Sequence, residues 1–145
     1  MNCIALDDEP LALDIIEAYV KKHPELNLIA RCNNAEEASK VLNSQHIDLM
    51  FLDIQMPGVT GLNFVRSLKN KPLFMFTTAY SEYAIDGFEL DAIDYLLKPI
   101  AYDRFEKAIE KAKEYYTIKN NSGLTESDLE NDFIFVKANQ QLIKL

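Results

Sequence analysis

Apolar positions along this chain fall into two patterns. Short, largely unbroken apolar runs occur at residues 3–6, 26–32, 49–52, 73–77 and 92–97. Runs of this length without a polar face read as strands buried on both sides. Between them, apolar residues recur every three or four positions, the period of a helix with one buried face. Leu11, Ile15, Ile16, Tyr19 and Val20 follow Pro10, a residue suited to a first helical turn, and Pro24 ends that pattern. Asn34 and Glu37 form a capping-box pattern ahead of a face made by Ala35, Ala38, Val41 and Leu42. Thr60 stands as N-cap before Leu62, Val65 and Leu68. Residues 83–88 suggest a short, weak helix bounded by Gly87, and 101–116 a clear last helix with Phe105, Ile109, Ala112 and Tyr116 inward. Strands alternating with helices predict an α/β fold whose parallel sheet is covered on both faces.

Polar residues of a particular kind close these strands. Asp7 and Asp8 follow the first, Asp53 ends the third, Thr78 the fourth and Lys98 the fifth. An ionised Asp is costly to bury, so Asp53 is expected at its strand's mouth with partners for its charge. In a doubly wound sheet of order 2-1-3-4-5, strands one and three are neighbours, and three carboxylates converge at the switch point. Such a group repels itself without a cation, and oxygen ligands suit Mg2+. Lys98 and Thr78 on the far side complete a pocket for a small tetrahedral anion, an arrangement suited to a phosphoryl group passing to a carboxylate oxygen. Each residue alone has a plainer reading as a strand end or helix cap; their joint placement favours the site.

Composition narrows the partners. The 145 residues carry a net charge of -8, with a pI near 4.7, and 48% are hydrophobic. That is enough for one packed core, and too acidic for this chain itself to grip nucleic acid. No apolar stretch is long enough to span a bilayer and no signal segment opens the chain, which predicts a cytoplasmic protein. Cys3 and Cys32 lie in strand-like runs and read as reduced, packed thiols. His23 and His46 have no ligand partner at useful spacing and read as surface residues. Glu9, just before Pro10, fits helix capping. After residue 117 the composition shifts: 118–131 reads as a polar linker, and 132–145 as a β-hairpin-like tail around Asn139.

The motifs Leu6-Asp7-Asp8-Glu9-Pro10, Leu52-Asp53-Ile54-Gln55-Met56-Pro57-Gly58, Thr77-Thr78-Ala79 and Tyr95-Leu96-Leu97-Lys98-Pro99 resemble, in order and spacing, the receiver domain of bacterial two-component response regulators. The resemblance covers about residues 2–117 and implies a flavodoxin-like (βα)5 fold. It implies Asp53 as phosphoryl acceptor from a sensor histidine kinase. Mg2+ would be held by Asp7, Asp8, Asp53 and the backbone carbonyl of Gln55. Lys98 and Thr78 would contact the phosphoryl group, Tyr95 would be the switch aromatic, and a cis peptide would precede Pro99. Homodimerisation is implied through the fourth helix, fifth strand and fifth helix. The stretches Tyr80-Ser81-Glu82-Tyr83-Ala84 and Gly87-Phe88-Glu89, followed by Ala92-Ile93-Asp94-Tyr95-Leu96-Leu97-Lys98-Pro99 and the tail from Asp132 to Lys137, are similar to regulators of the LytTR (LytR/AgrA-like) type. On that resemblance 1–117 is the receiver, 118–131 a linker and 132–145 the start of a truncated DNA-binding output domain, so DNA would be contacted only through the missing part.

Three other classes fit the residues less well. An aspartyl-phosphate phosphatase needs a general acid two residues beyond its nucleophile, where this chain has Gln55. A nucleotide-binding flavodoxin-like protein needs a Gly-rich phosphate loop after the first strand, which is missing. A receiver-fold interaction module that works without phosphorylation is disfavoured by intact Asp53, Thr78 and Lys98. The expectation is therefore a switch that assists its own phosphotransfer and dephosphorylation rather than an enzyme with an external substrate.

Overall fold

The structure, a computed structural model, describes residues 1–79 and 91–120. The expected short helix at 83–88, the segment 121–131 and the strand-like tail at 132–145 lie outside the described residues. Five strands, β1 (Asn2–Leu6), β2 (Asn27–Cys32), β3 (Leu49–Asp53), β4 (Leu73–Thr78) and β5 (Tyr95–Leu97), form one parallel sheet in the order β2-β1-β3-β4-β5. The described helices are α1 (Pro10–Val20), α2 (Ala35–Ser44), α3 (Gly61–Ser67) and α4 (Tyr102–Lys119). This is the flavodoxin-like α/β fold.

Side chains alternate across each strand, so one run feeds two cores. Cys3, Ala5, Leu49, Phe51, Leu73 and Met75 pack under α1 and α4. Ile4, Leu6, Met50, Leu52, Phe74 and Phe76 pack under α2 and α3. Every residue of β3 is buried, as expected of a central parallel strand. The caps are also in place. Asn34 accepts from the Glu37 N–H at 2.9 Å and Thr60 from the Asn63 N–H at 3.1 Å. The Glu37 carboxylate turns back to the Asn33 N–H, at 3.2 Å, one residue before the capping residue.

Several expectations need correction. On α1 the buried face is Leu13, Ile16 and Val20, while Leu11 is 75% exposed and Ile15 38%. At 100° per residue, Leu11 and Ile15 fall on a different face from Leu13, Ile16 and Val20. On α4 it is Tyr115, not Tyr116, that is fully enclosed, and the helix continues to Lys119. β5 is shorter than the apolar run, because the Asp94 carboxylate takes the Tyr95 N–H at 2.8 Å. Ala92 and Ile93 are nevertheless buried. His23 is not a simple surface residue. Its ring packs on Tyr102 and Phe105, with Nε2 3.2 Å from the Tyr102 hydroxyl and Nδ1 3.3 Å from Glu25. His46 is exposed and lies 2.8 Å from Asp48. Glu9 occupies the N-cap position of α1, but its side chain makes no capping bond. Cys3 and Cys32 are buried free thiols, and burial pushes them up to about 12 and about 11.

Candidate functional site

The parallel register delivers the site. Leu6 pairs with Leu52, so Asp7 and Asp53 emerge side by side where β1 and β3 end. Asp53 in turn pairs with Thr77, and Thr78 with Leu97, which sets Thr78 and Lys98 at the same edge of the sheet. The Lys98 N–H donates to the Thr78 carbonyl at 2.7 Å, and the Lys98–Pro99 peptide is cis.

Asp7 is 4% exposed and Asp53 2%, while Asp8 is open to solvent. Oxygens of all three lie within 4.8 Å of one another. The Lys98 ammonium sits 2.8 Å from Asp7 Oδ2, 3.6 Å from Asp53 Oδ1 and 4.0 Å from Glu9 Oε1. The Gln55 N–H donates to Asp53 Oδ1 at 3.3 Å. Asp53 Oδ2 is buried with no hydrogen-bond partner. Burial and the neighbouring Asp7 charge together push Asp53 up to about 7, against the pull of Lys98 and the Gln55 N–H. At Lys98, burial favours the neutral amine, but Asp7, Asp53 and Glu9 outweigh it and hold the ammonium charged.

This geometry favours a divalent cation. The Asp7, Asp8 and Asp53 carboxylates, with Glu9 nearby, outnumber the single Lys98 ammonium. The donors are all hard oxygens, and one of them is buried and unpartnered, so the residues present fit Mg2+. An open groove of about 310 Å³ runs from Asp7 and Lys98 along α1 past Leu11 and Ile15. Thr78 is buried beside this edge, and the Tyr95 ring is half-buried against the core under α2 and α3. The structure thus brings Asp7, Asp8, Asp53 and Lys98 together, with Thr78 and Gln55 adjoining and Tyr95 three residues before Lys98. The Asp94–Arg104 pair behind Tyr95 is not legible in the sequence. Asp94 falls within a family-like stretch but Arg104 does not, and β5 and a loop separate the two.

The profile of the response regulator receiver domain matches residues 3–110. The chain belongs to the receiver-domain family. Among relatives of this receiver, the transcriptional regulatory protein BtsR of Escherichia coli is 36% identical over 136 residues, covering 92% of this chain and 57% of that protein. The sensory transduction protein LytT of Enterococcus faecalis is 36% identical over 115 residues, covering 77% and 48%. The chain therefore spans about half the length of these relatives. Among solved structures, the response regulatory domain of mrkE from Klebsiella pneumoniae superposes with a TM-score of 0.73 at 28% identity, covering 80% of this receiver and 98% of that chain. Response regulator TrrA from Thermotoga maritima, in complex with Mg(2+)-BeF, gives 0.65 at 30% identity, covering 77% and 97%. Receiver domains bind Mg2+ at an acidic pocket, and the Asp7, Asp8 and Asp53 cluster is such a pocket.

Proposed function

We propose that Asp53 accepts a phosphoryl group from a sensor histidine kinase, and that this event switches an output domain of LytTR type. The observation that carries the reading is the Asp53 carboxylate itself, buried, with one oxygen unpartnered and Lys98 alongside. Asp53 attacks phosphorus, the P–O bond forms, and the P–N bond to the donor histidine breaks, its electron pair and a proton ending on the imidazole. Lys98 leans toward the incoming phosphoryl oxygens, and Thr78 closes on one of them after transfer. Asp7, Asp8, Asp53 and the Gln55 carbonyl would hold Mg2+, which supplies charge neutralisation for the transferring group. The groove beside α1, flanked by exposed Leu11, is the approach for the donor.

Tyr95 reorients when Thr78 moves, a two-state element biased by one new charge. The receiver corresponds to residues 1–117, with 118–131 as linker and 132–145 as the beginning of the DNA-binding part. The assembly is a cytoplasmic homodimer acting on transcription. No described helix is long and apolar enough to cross a membrane. Transcription regulators among the relatives support this reading. Fluorine NMR with Mg2+ and beryllofluoride tests it. Bound resonances are expected for the wild type and none for Asp53→Ala; equal spectra for the two proteins would overturn it.

A further inference from the structure

The carboxylate of Asp94 is 5% exposed and gathers four donors from two elements. Arg104 grips it with both terminal nitrogens, at 2.8 and 2.5 Å, Lys111 approaches at 3.2 Å, and the Tyr95 N–H donates at 2.8 Å. Arg104 also reaches the Tyr95 carbonyl at 3.5 Å. Both backbone groups of Tyr95 are therefore tied to one ion pair. Arg104, Ala108, Lys111 and Tyr115 follow one another at three- and four-residue steps, so a single face of α4 addresses Asp94. Burial alone would raise the Asp94 pKa, yet Arg104, the Tyr95 N–H and Lys111 hold it below the ordinary carboxylate range. A bidentate, charge-assisted pair closed on a buried carboxylate is directional, and it moves as a unit.

On the reading of Asp53 and Tyr95 given above, we propose that Arg104 is a positioning residue for Tyr95, and that the Asp94–Arg104 pair carries the state of the Asp53 site to α4. The route is short. Lys98 lies three residues after Tyr95, and β4 holds the strand between them through Phe76, Thr77 and Thr78. A shift of Tyr95 pulls on Asp94 and Arg104 together, and so on the first turn of α4.

Lys111 supplies the control, because its ammonium pairs with Asp94, whereas Arg104 grips Asp94 and also reaches the Tyr95 carbonyl. Arg104→Gln and Lys111→Gln each leave Asp94 one cation, so both variants keep a paired carboxylate and fold. Amide hydrogen exchange is measured with Mg2+, with and without beryllofluoride. In the wild type and Lys111→Gln, exchange is expected to change both at residues 73–79 and along 102–119. In Arg104→Gln the change at 73–79 persists, and that along 102–119 falls at least about threefold. An α4 response in Arg104→Gln equal to that of the wild type would overturn the link alone, as would loss of the response in both variants. A wild type unresponsive even at 73–79 would overturn the reading of Asp53, and the link with it.

Discussion

The Lys98 ammonium lies closer to Asp7 Oδ2, at 2.8 Å, than to Asp53 Oδ1, at 3.6 Å. Its principal counterion is thus a carboxylate that a divalent cation at this site also needs. A bound Mg2+ would compete with Lys98 for Asp7, and metal binding would free the ammonium for the acceptor side. Lys98→Ala is expected to bind Mg2+ roughly three- to tenfold more tightly, a change of about 1 kcal/mol, while taking up phosphoryl groups more slowly. Titration calorimetry measures the first effect, and equal or weaker Mg2+ binding would contradict the competition.

Asp53 makes stability depend on pH with an unusual sign. Its folded-state pKa is raised from 3.8 to about 7, so the folded chain holds this proton more tightly than the unfolded chain. The contribution is present at low pH and is lost as pH rises through the window from about 4 to about 7. In metal-free buffer, Asp53→Asn is expected to lack that loss and to be more stable than the wild type above neutrality by on the order of 1–3 kcal/mol. Urea unfolding across the pH range checks this, and parallel pH profiles for the two proteins would count against it.

Backbone crowding beneath Asp53 makes Gly61 costly to replace. A Cβ at Gly61 would lie 2.3 Å from the Asp53 carbonyl oxygen, whereas one at Gly58 meets nothing within 4 Å. Gly58 instead holds a φ of +87°, which suits glycine. Gly61→Ala is expected to cost about 1–3 kcal/mol through overpacking and to slow phosphoryl uptake as Asp53 shifts. Gly58→Ala is expected to cost about 1 kcal/mol with uptake intact. Thermal melts with uptake kinetics separate the two, and similar uptake in both variants would refute the crowding argument.

The two leucines of α1 behave oppositely. Leu13 is 2% exposed in the core, and Leu11 is 75% exposed beside the groove. Leu13→Ala is expected to lose about 2–4 kcal/mol and Leu11→Ala under about 0.5 kcal/mol. Denaturation midpoints decide this, and comparable losses would place Leu11 in the core.

Much of this was legible because strand burial and strand ends are local properties. Apolar runs located all five strands, although the edge strands β2 and β5 are only partly buried, and the polar residues closing β1, β3, β4 and β5 fell at the edge where Asp7, Asp53, Thr78 and Lys98 gather. The side-chain caps at Asn34 and Thr60 were legible for the same reason, since a cap is decided within four residues. Faces of helices were harder. α1 carries apolar residues on two sides, and only the sheet's position decides that Leu13, rather than Leu11, is enclosed. Tyr115 and Tyr116 are both at helical spacing from Ala112, and packing alone selects the first. His23 looked solvent-facing because its partners Tyr102 and Phe105 are some eighty positions away. The Asp94 clamp was invisible for a related reason. Its partners lie on α4, beyond β5 and a loop, and a buried carboxylate cannot be told from an exposed one by spacing.

The most direct test of the account is intact mass after incubation with acetyl phosphate, with and without Mg2+, for the wild type and Asp53→Ala. The account predicts a gain of about one phosphoryl group in the wild type, dependent on Mg2+ and abolished by Asp53→Ala. A wild type that gains nothing, or an Asp53→Ala protein that gains as much, would contradict it.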